Sequence, residues 1–275
     1  MPYPPLRPTS PSPLDLAPPT PARTAALDRR RWCLGAAAWA GLAGCSTLSG
    51  RPATPADDGR GVVPFSNAPS TGALPAGWHE LLLRRDLPNT RYELVDMGGR
   101  RVLHALADQS TSVLRCDVSI DPRRQPWLDW DWRAEQVDTR ATVADDALDD
   151  CPVRLLVGFD GDPSGLSLRD RLFSEQVELF TGHTVPYATL TYVWDGQAPV
   201  GSVFSYARTS RVRYLVVESG DRHAGRWRRY RRNVVDDYRR VYGGEPGRII
   251  SVGLITDSDD LKTRTEAWVG DLRFG

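Results

Sequence analysis

From about residue 65 onward the chain breaks into short apolar or alternating runs, separated by turn-forming residues, and this punctuation limits it to a mainly β fold. The runs are RYELVDM, RVLHALA, VLRCDVSI, WLDWDWR, PVRLLVGFD, ATLTYVW, RVRYLVVES, IISVGLIT and EAWVGDLRF. Their spacing suits an antiparallel sandwich better than alternating strands and helices. Two stretches keep a different period. Leu168, Leu172, Phe173, Val177 and Phe180 recur at helical spacing, as do Val234, Tyr238, Val241 and Tyr242, which Gly243-Gly244 stop. The expectation is an antiparallel β-sandwich with two short helices set into it.

Parity assigns the faces of these strands, because alternate side chains share one side. In PWLDWDWR, Leu128, Trp130 and Trp132 fall on one face and Asp129, Asp131 and Arg133 on the other. That is the pattern of a half-buried strand, so Trp130 and Trp132 are expected in the core rather than on a sugar-stacking platform. Trp127 falls on the polar parity. The same reasoning turns Val153, Leu155, Val157 and Phe159 inward, with Ile250, Val252, Leu254, Trp268, Leu272 and Phe274.

Ahead of this domain the composition changes. Residues 1–27 are rich in proline and lack periodicity, which predicts a disordered extension. Residues 28–44 read as a signal peptide: Arg29-Arg30-Arg31 precede the uncharged run CLGAAAWAGLAG, too short to span a bilayer. The run ends in Leu42-Ala43-Gly44-Cys45, which resembles the lipobox of bacterial lipoproteins. On that resemblance Cys45 is the lipidated first residue of the mature chain. Two acyl chains anchor stably where one does not. Ser46 after it favours the outer membrane, facing the periplasm, and residues 45–64 then form a flexible tether to the domain at 65–275. The formal net charge is zero, so nothing global points to a nucleic-acid partner.

The stretches LHALADQSTSVLRCDVSI, PWLDWDWR, DDCPVRLLVGF, TLTYVWD, RNVVDDYRRVYGGEP and VGLITDSDDLKTRTEAWVGDLRF, in this order, resemble an uncharacterised bacterial family, domain of unknown function 3047. The resemblance runs from about Phe65 to the end. Cys151 departs from it, standing where the family's block has an aromatic residue. The family implies no activity and no catalytic residue. More loosely, the Trp-x-Trp strand and the closing Gly-Asp-hydrophobic strand are similar to jelly-roll modules of the galactose-binding-like kind.

Within the expected domain, Cys116 and Cys151 both read as inward-facing, and in an oxidising compartment such a pair can form a disulfide. Asp145, Asp146, Asp149 and Asp150 precede one strand, and Asp257, Asp259 and Asp260 follow another. If the two loops meet, Asp149, Asp150, Asp257, Asp259 and Asp260 offer oxygen ligands for calcium or a carboxylate pair for hydrolysis, whereas solvated turns use the same residues. Trp127, Trp194, Trp227 and Tyr187 are the candidates for an aromatic shelf under a glycan. His79, His104, His183 and His223 form no zinc-binding spacing. Arg226 to Arg232 form a basic run interleaved with Trp227 and Tyr230, read as a solvated helix entrance in preference to a lipopolysaccharide-binding patch.

Three functions are consistent with these features. The favoured one is a non-catalytic envelope lipoprotein whose jelly-roll-like domain binds a glycan or another envelope component. The alternatives are a polysaccharide hydrolase using loop carboxylates, and a structural partner in an envelope complex.

Overall fold

The computed structural model describes residues 60–72, 74 and 77–275. The expected extension, the signal peptide, the lipidation site at Cys45 and most of the tether lie outside the described residues. The strands are β1 (Trp78–Leu81), β2 (Arg91–Met97), β3 (Arg100–Asp108), β4 (Val113–Ile120), β5 (Trp127–Ala134), β6 (Cys151–Phe159), β7 (Ala188–Asp195), β8 (Val203–Ser205), β9 (Val212–Ser219), β10 (Arg228–Asn233), β11 (Ile249–Asp257), β12 (Arg264–Val269) and β13 (Arg273–Phe274). Helix α1 (Leu168–Thr181) lies between β6 and β7, and α2 (Val234–Tyr242) between β10 and β11.

The strands form two stacked sheets, a β-sandwich of jelly-roll-like character. One has seven strands in the order β1-β4-β11-β6-β7-β9-β8; the other has the order β10-β5-β12-β3-β2, with β13 beside β5. The pairing is antiparallel throughout except between β7 and β9, which run parallel. Between the sheets lies one apolar core. Leu128, Trp130 and Trp132 of β5 meet Val153, Leu155, Val157, Phe159, Leu190, Tyr192, Val252 and Leu254 of the facing sheet. Trp130 and Trp132 are 2% and 0% exposed, as parity predicts. Trp130 packs against Tyr192 of the facing sheet and against Tyr230 of neighbouring β10, each at 5.0 Å between ring centroids, so its indole joins the sheets and braces its own edge.

Both helices carry the expected stops. Asn233 caps α2 through its side-chain oxygen, and Gly243 ends it at a positive φ of 76°. Ser167 caps α1 and Gly182 ends it in the same left-handed conformation.

The sequence reading fails at three places in this framework. A bulge between Ile249 and Ser251 buries Ile249 and leaves Ile250 partly exposed. In β12 the small residues Ala267 and Val269 face the core, while Trp268 lies outside, stacked on His104 at 5.0 Å. The basic run from Arg228 is not a helix entrance; it is β10, pairing with β5 at the edge of its sheet. Its arginines alternate between buried carboxylate partners and solvent. Arg228 binds Glu218 and Arg232 binds Asp237, while Arg229 is exposed. Charge on an edge strand discourages pairing with a further chain.

The expected Cys116–Cys151 disulfide is absent; both thiols are free and buried. Strand β11 lies between β4 and β6, which sets their backbones about 10 Å apart. Cys116 opposes Val252, and Val252 opposes Val157, whereas Cys151 opposes Asp257 at the far end of β6. A second register shift, between Ile255 and Asp257, also moves Cys151 off its expected face, and it packs with Val193, Tyr214 and Val216 on the outer side of the sheet.

Truncating Trp132 to alanine removes the ring at the centre of the core. The expected loss is about 3–5 kcal/mol, read as a lowered midpoint of chemical denaturation with a cooperative transition retained.

Candidate functional site

The seven-stranded sheet has an outer face as well as an inner one, and much of the outer face is roofed. Helix α1 crosses it, held near both ends. At its start, Asp170 accepts hydrogen bonds from Thr209 Oγ1 (2.7 Å), Ser210 N (2.8 Å) and Ser210 Oγ (2.8 Å), in the turn before β9. At its end, Arg85, just beyond β1, donates to the carbonyl of Phe180 at 3.2 Å. The helix therefore reaches from the β8–β9 edge of the sheet to the β1 edge. Phe173, Gln176, Val177 and Phe180 line the space beneath it, a cleft of about 830 Å³. Leu168, Leu172 and Leu179 lie outside it and stay exposed, and Phe180 is exposed as well. The helical period read from the sequence was right, but Leu168 and Leu172 do not face inward.

Gly158 and Gly253 lie in the cleft floor, where neighbouring atoms leave little room for a side chain. A Cβ on Gly158 would meet Ser251 Oγ at 2.3 Å and Pro186 Cγ at 2.7 Å. One wall is aromatic: Phe173 and Tyr206 meet edge to face at 6.0 Å, and Tyr214 stands beside them in the lining.

At one end of the cleft lies Arg154, only 4% exposed, on the outward parity of β6. Its Nη2 lies 3.0 Å from Asp149 Oδ1 and 3.1 Å from Asp257 Oδ2. Tyr214 donates its hydroxyl to Asp149 Oδ2 at 3.3 Å, and the Arg154 guanidinium lies 5.5 Å from the Tyr214 ring centre. The two aspartate loops do meet, and Asp150 knits them together. Its oxygens accept the backbone N–H groups of Asp260 at 2.9 Å and Leu261 at 2.8 Å. Asp259 and Asp260 complete the rim, with Arg84 3.5 Å from Asp259.

This grouping shifts its own titration. Burial pushes Asp257 well above the usual carboxylate range, outweighing the attraction of Arg154, and repulsion from Asp149 adds to it. Burial raises Asp149 as well, against Arg154 and Tyr214. Two buried carboxylates sharing one guanidinium are thus both harder to ionise than isolated aspartates. Asp260 is raised to about 6 by burial and by Asp259, Asp150 and Asp149.

The residues do not fit calcium. Among the described residues no three acidic, histidine or cysteine groups are placed to hold a metal ion. Of the five aspartates that the sequence offered, Asp149 and Asp257 are engaged by the Arg154 guanidinium and Asp150 by backbone N–H groups.

The proposed shelf does not assemble either. Trp194 is fully buried and donates Nε1 to the Gly220 carbonyl at 2.9 Å. Tyr187 packs against the core with Arg211 over its ring at 4.1 Å. Trp127 opposes Asn233 at one end of the β5–β10 pair. Trp227 precedes Arg228 at the other end, under the guanidinium of Arg100 at 4.1 Å. The aromatic wall that does line the cleft, Phe173, Tyr206 and Tyr214, was missed. Strand β9 is buried on both sides, so alternation could not show that Tyr214 faces outward. Of the histidines, His183 lines the cleft, whereas His223 pairs with Glu218 at 3.0 Å.

The chain belongs to the family described as protein of unknown function DUF3047, whose model matches residues 76–273. No curated protein matches it. Among solved structures it is similar to endoglucanase 3 of family GH12 from Trichoderma harzianum, at 11% identity and a TM-score of 0.39, covering 72% of this chain and 90% of that one. It is also similar to the family 11 xylanase from Neocallimastix patriciarum, at 10% identity and a TM-score of 0.31, covering 78% and 97%.

Because Asp260 binds its proton more tightly when folded, the native state loses stability as pH rises from the ordinary aspartate range to about 6. Asp260→Asn is expected to flatten that decline relative to the parent. Melting temperatures of both proteins across the interval check it, with the other titrating groups common to both.

Proposed function

We propose that this member of the DUF3047 family binds a polyhydroxylated polymer in the cleft beneath α1 and hydrolyses it with the carboxylate pair Asp149 and Asp257. The pair itself carries the reading. Both carboxylates contact the same Arg154 nitrogen, at 3.0 and 3.1 Å, so those oxygens are no more than about 6 Å apart, close to the ~5–5.5 Å of retaining glycosidases. The chemistry needs one protonated and one ionised carboxylate. In this scheme Asp257, whose ionisation burial opposes, is the acid that gives its proton to the leaving oxygen. Asp149, steadied by Tyr214 and Arg154, attacks the anomeric carbon, and water then releases the sugar while Asp257 recovers a proton. Phe173, Tyr206 and Tyr214 supply apolar faces for sugar rings.

A second reading, non-catalytic glycan binding, is favoured by one feature. Arg154 engages both carboxylates where little solvent reaches them, which is also how a purely structural ion triad looks. Reducing-end release from a panel of cell-wall and capsular polysaccharides separates the two. Asp257→Asn is expected to slow release by about a thousandfold while polymer binding persists. Binding by the parent with no release on any polymer selects the non-catalytic reading, and neither binding nor release removes both.

The domain is further proposed to sit at the bacterial outer membrane on an acyl anchor at Cys45, which the order of arginines, apolar run, small residues and cysteine supports. Labelled palmitate is expected to enter the full chain in cells and to be lost from Cys45→Ala. Equal labelling of both proteins, or none of either, overturns the anchor.

A further inference from the structure

Acidic and basic side chains both line the cleft. Asp149, Asp257, Asp259 and Asp260 gather at one end, while Arg85, Arg115, Arg208 and His183 also line it. Among the described residues two of these cations have only neutral hydrogen-bond partners. Arg85 Nη2 donates to the Phe180 carbonyl at 3.2 Å, and Arg208 Nη2 to Gln176 Oε1 at 2.5 Å. Arg115 differs, since its Nε is held by Asp117 at 2.8 Å. Strand register puts Arg115 opposite Gly253, four residues along β11 from Asp257 and so about 13 Å from the acid pair. Deeper in the cleft, the Nε of buried Arg154 has no hydrogen-bond partner among the described residues.

A neutral polymer gives no use for these cations. A guanidinium hydrogen-bonded only to an amide or carbonyl keeps its whole charge, and low-dielectric walls concentrate the field it produces. Arg208 also lies over the Phe173 ring, 5.6 Å from its centre, so a stacking surface and an unneutralised fork share one wall. That combination matches a sugar ring bearing a carboxylate: the C–H face lies on the aromatic wall, and the carboxylate takes the planar fork. We propose that the polymer is an acidic polysaccharide, built from uronic acids, whose carboxylates are read by Arg208 and Arg85 apart from the carboxylate pair. The acid end then meets a glycosidic bond, and its negative groups do not have to accommodate the substrate's own.

The proposal rests on the cleft being a polysaccharide site, and it is tested so that it can fail separately from hydrolysis. Affinity electrophoresis of the Asp257→Asn protein through polygalacturonate and alginate gels, each beside its carboxyl-reduced counterpart, measures binding without turnover. The acidic polymers are expected to retard the protein at least about tenfold more strongly, less so in high salt. Arg208→Gln, at an exposed position, is expected to lose about tenfold of that retention with an unchanged melting temperature, leaving any weak retention by the neutral polymers unaffected. Equal retention by acidic and neutral polymers, retention by none of them, no effect of Arg208→Gln, or retention only by phosphatidylglycerol vesicles overturns the proposal. Retention of the acidic polymers with no turnover by the parent protein keeps it and removes hydrolysis. Turnover confined to neutral polymers does the reverse.

Discussion

A guanidinium taken out of water has to be answered by negative charge nearby, and the answer to Arg154 organises one end of the molecule. Desolvation of such a group costs several kcal/mol unless it is paired and hydrogen-bonded. Asp149 approaches from the loop before β6 and Asp257 from the end of β11. Arg154 also bonds the Asp149 backbone carbonyl. Strand pairing already sets the two loops side by side, with Asp257 opposite Cys151; this one cation ties them together, and Asp150 fastens the second loop further through its backbone. The excess of carboxylates over cations here follows from that arrangement. Asp257 stands well above its ordinary range because burial acts on it more strongly than its single shared partner does.

The same sheet is covered twice, and this explains what could and could not be read from the amino-acid order. In β5 one side meets the core and the other carries charge, so Leu128, Trp130 and Trp132 alternated visibly with Asp129, Asp131 and Arg133. Even there the polar side is not simply solvated. Asp131 is buried under a two-pronged contact from Arg100, at 3.1 and 2.6 Å, and Gly270 is small because a Cβ would lie 2.0 Å from Asp131 Oδ1. In β7 every residue is buried, since the inner face meets the tryptophans and the outer face lies under α1 and the loops. A run without alternation names a strand but not its sides. The strands were therefore legible and the cleft was not.

Register explains the remaining errors. Period-two reasoning assumes that each strand keeps step with its neighbours, and one extra residue reverses every side chain beyond it. The two shifts in the β11–β6 pairing moved Ile250 outward and brought Cys151 to the outer cluster, and with it went the expected disulfide. Trp268 shows a different failure. Ring size suggested burial, yet the core accepted Ala267 and Val269 and left the indole between His104 and Arg133. The aspartate loops were found because turn residues flanking strands are local information. Their partner Arg154 was not singled out, because an arginine inside an apolar strand looks anomalous until its carboxylates are in place.

Helix α1 connects this architecture to the cleft. A helix that packed directly on the sheet would bring a broad apolar stripe against it. This one is joined near its ends by Asp170 and by the Phe180 carbonyl, and it presents Phe173, Gln176 and Val177 across open space. Its outward leucines show how weakly its sequence distinguishes two faces. Polar anchors at the ends of a helix, unlike a continuous apolar seam, leave volume beneath it. At Gly158 the neighbouring Ser251 and Pro186 already fill the place of a side chain, so the floor is closely packed there. The space therefore arises from the roof: a helix tied down where it meets the sheet edges and not seamed to the sheet between them.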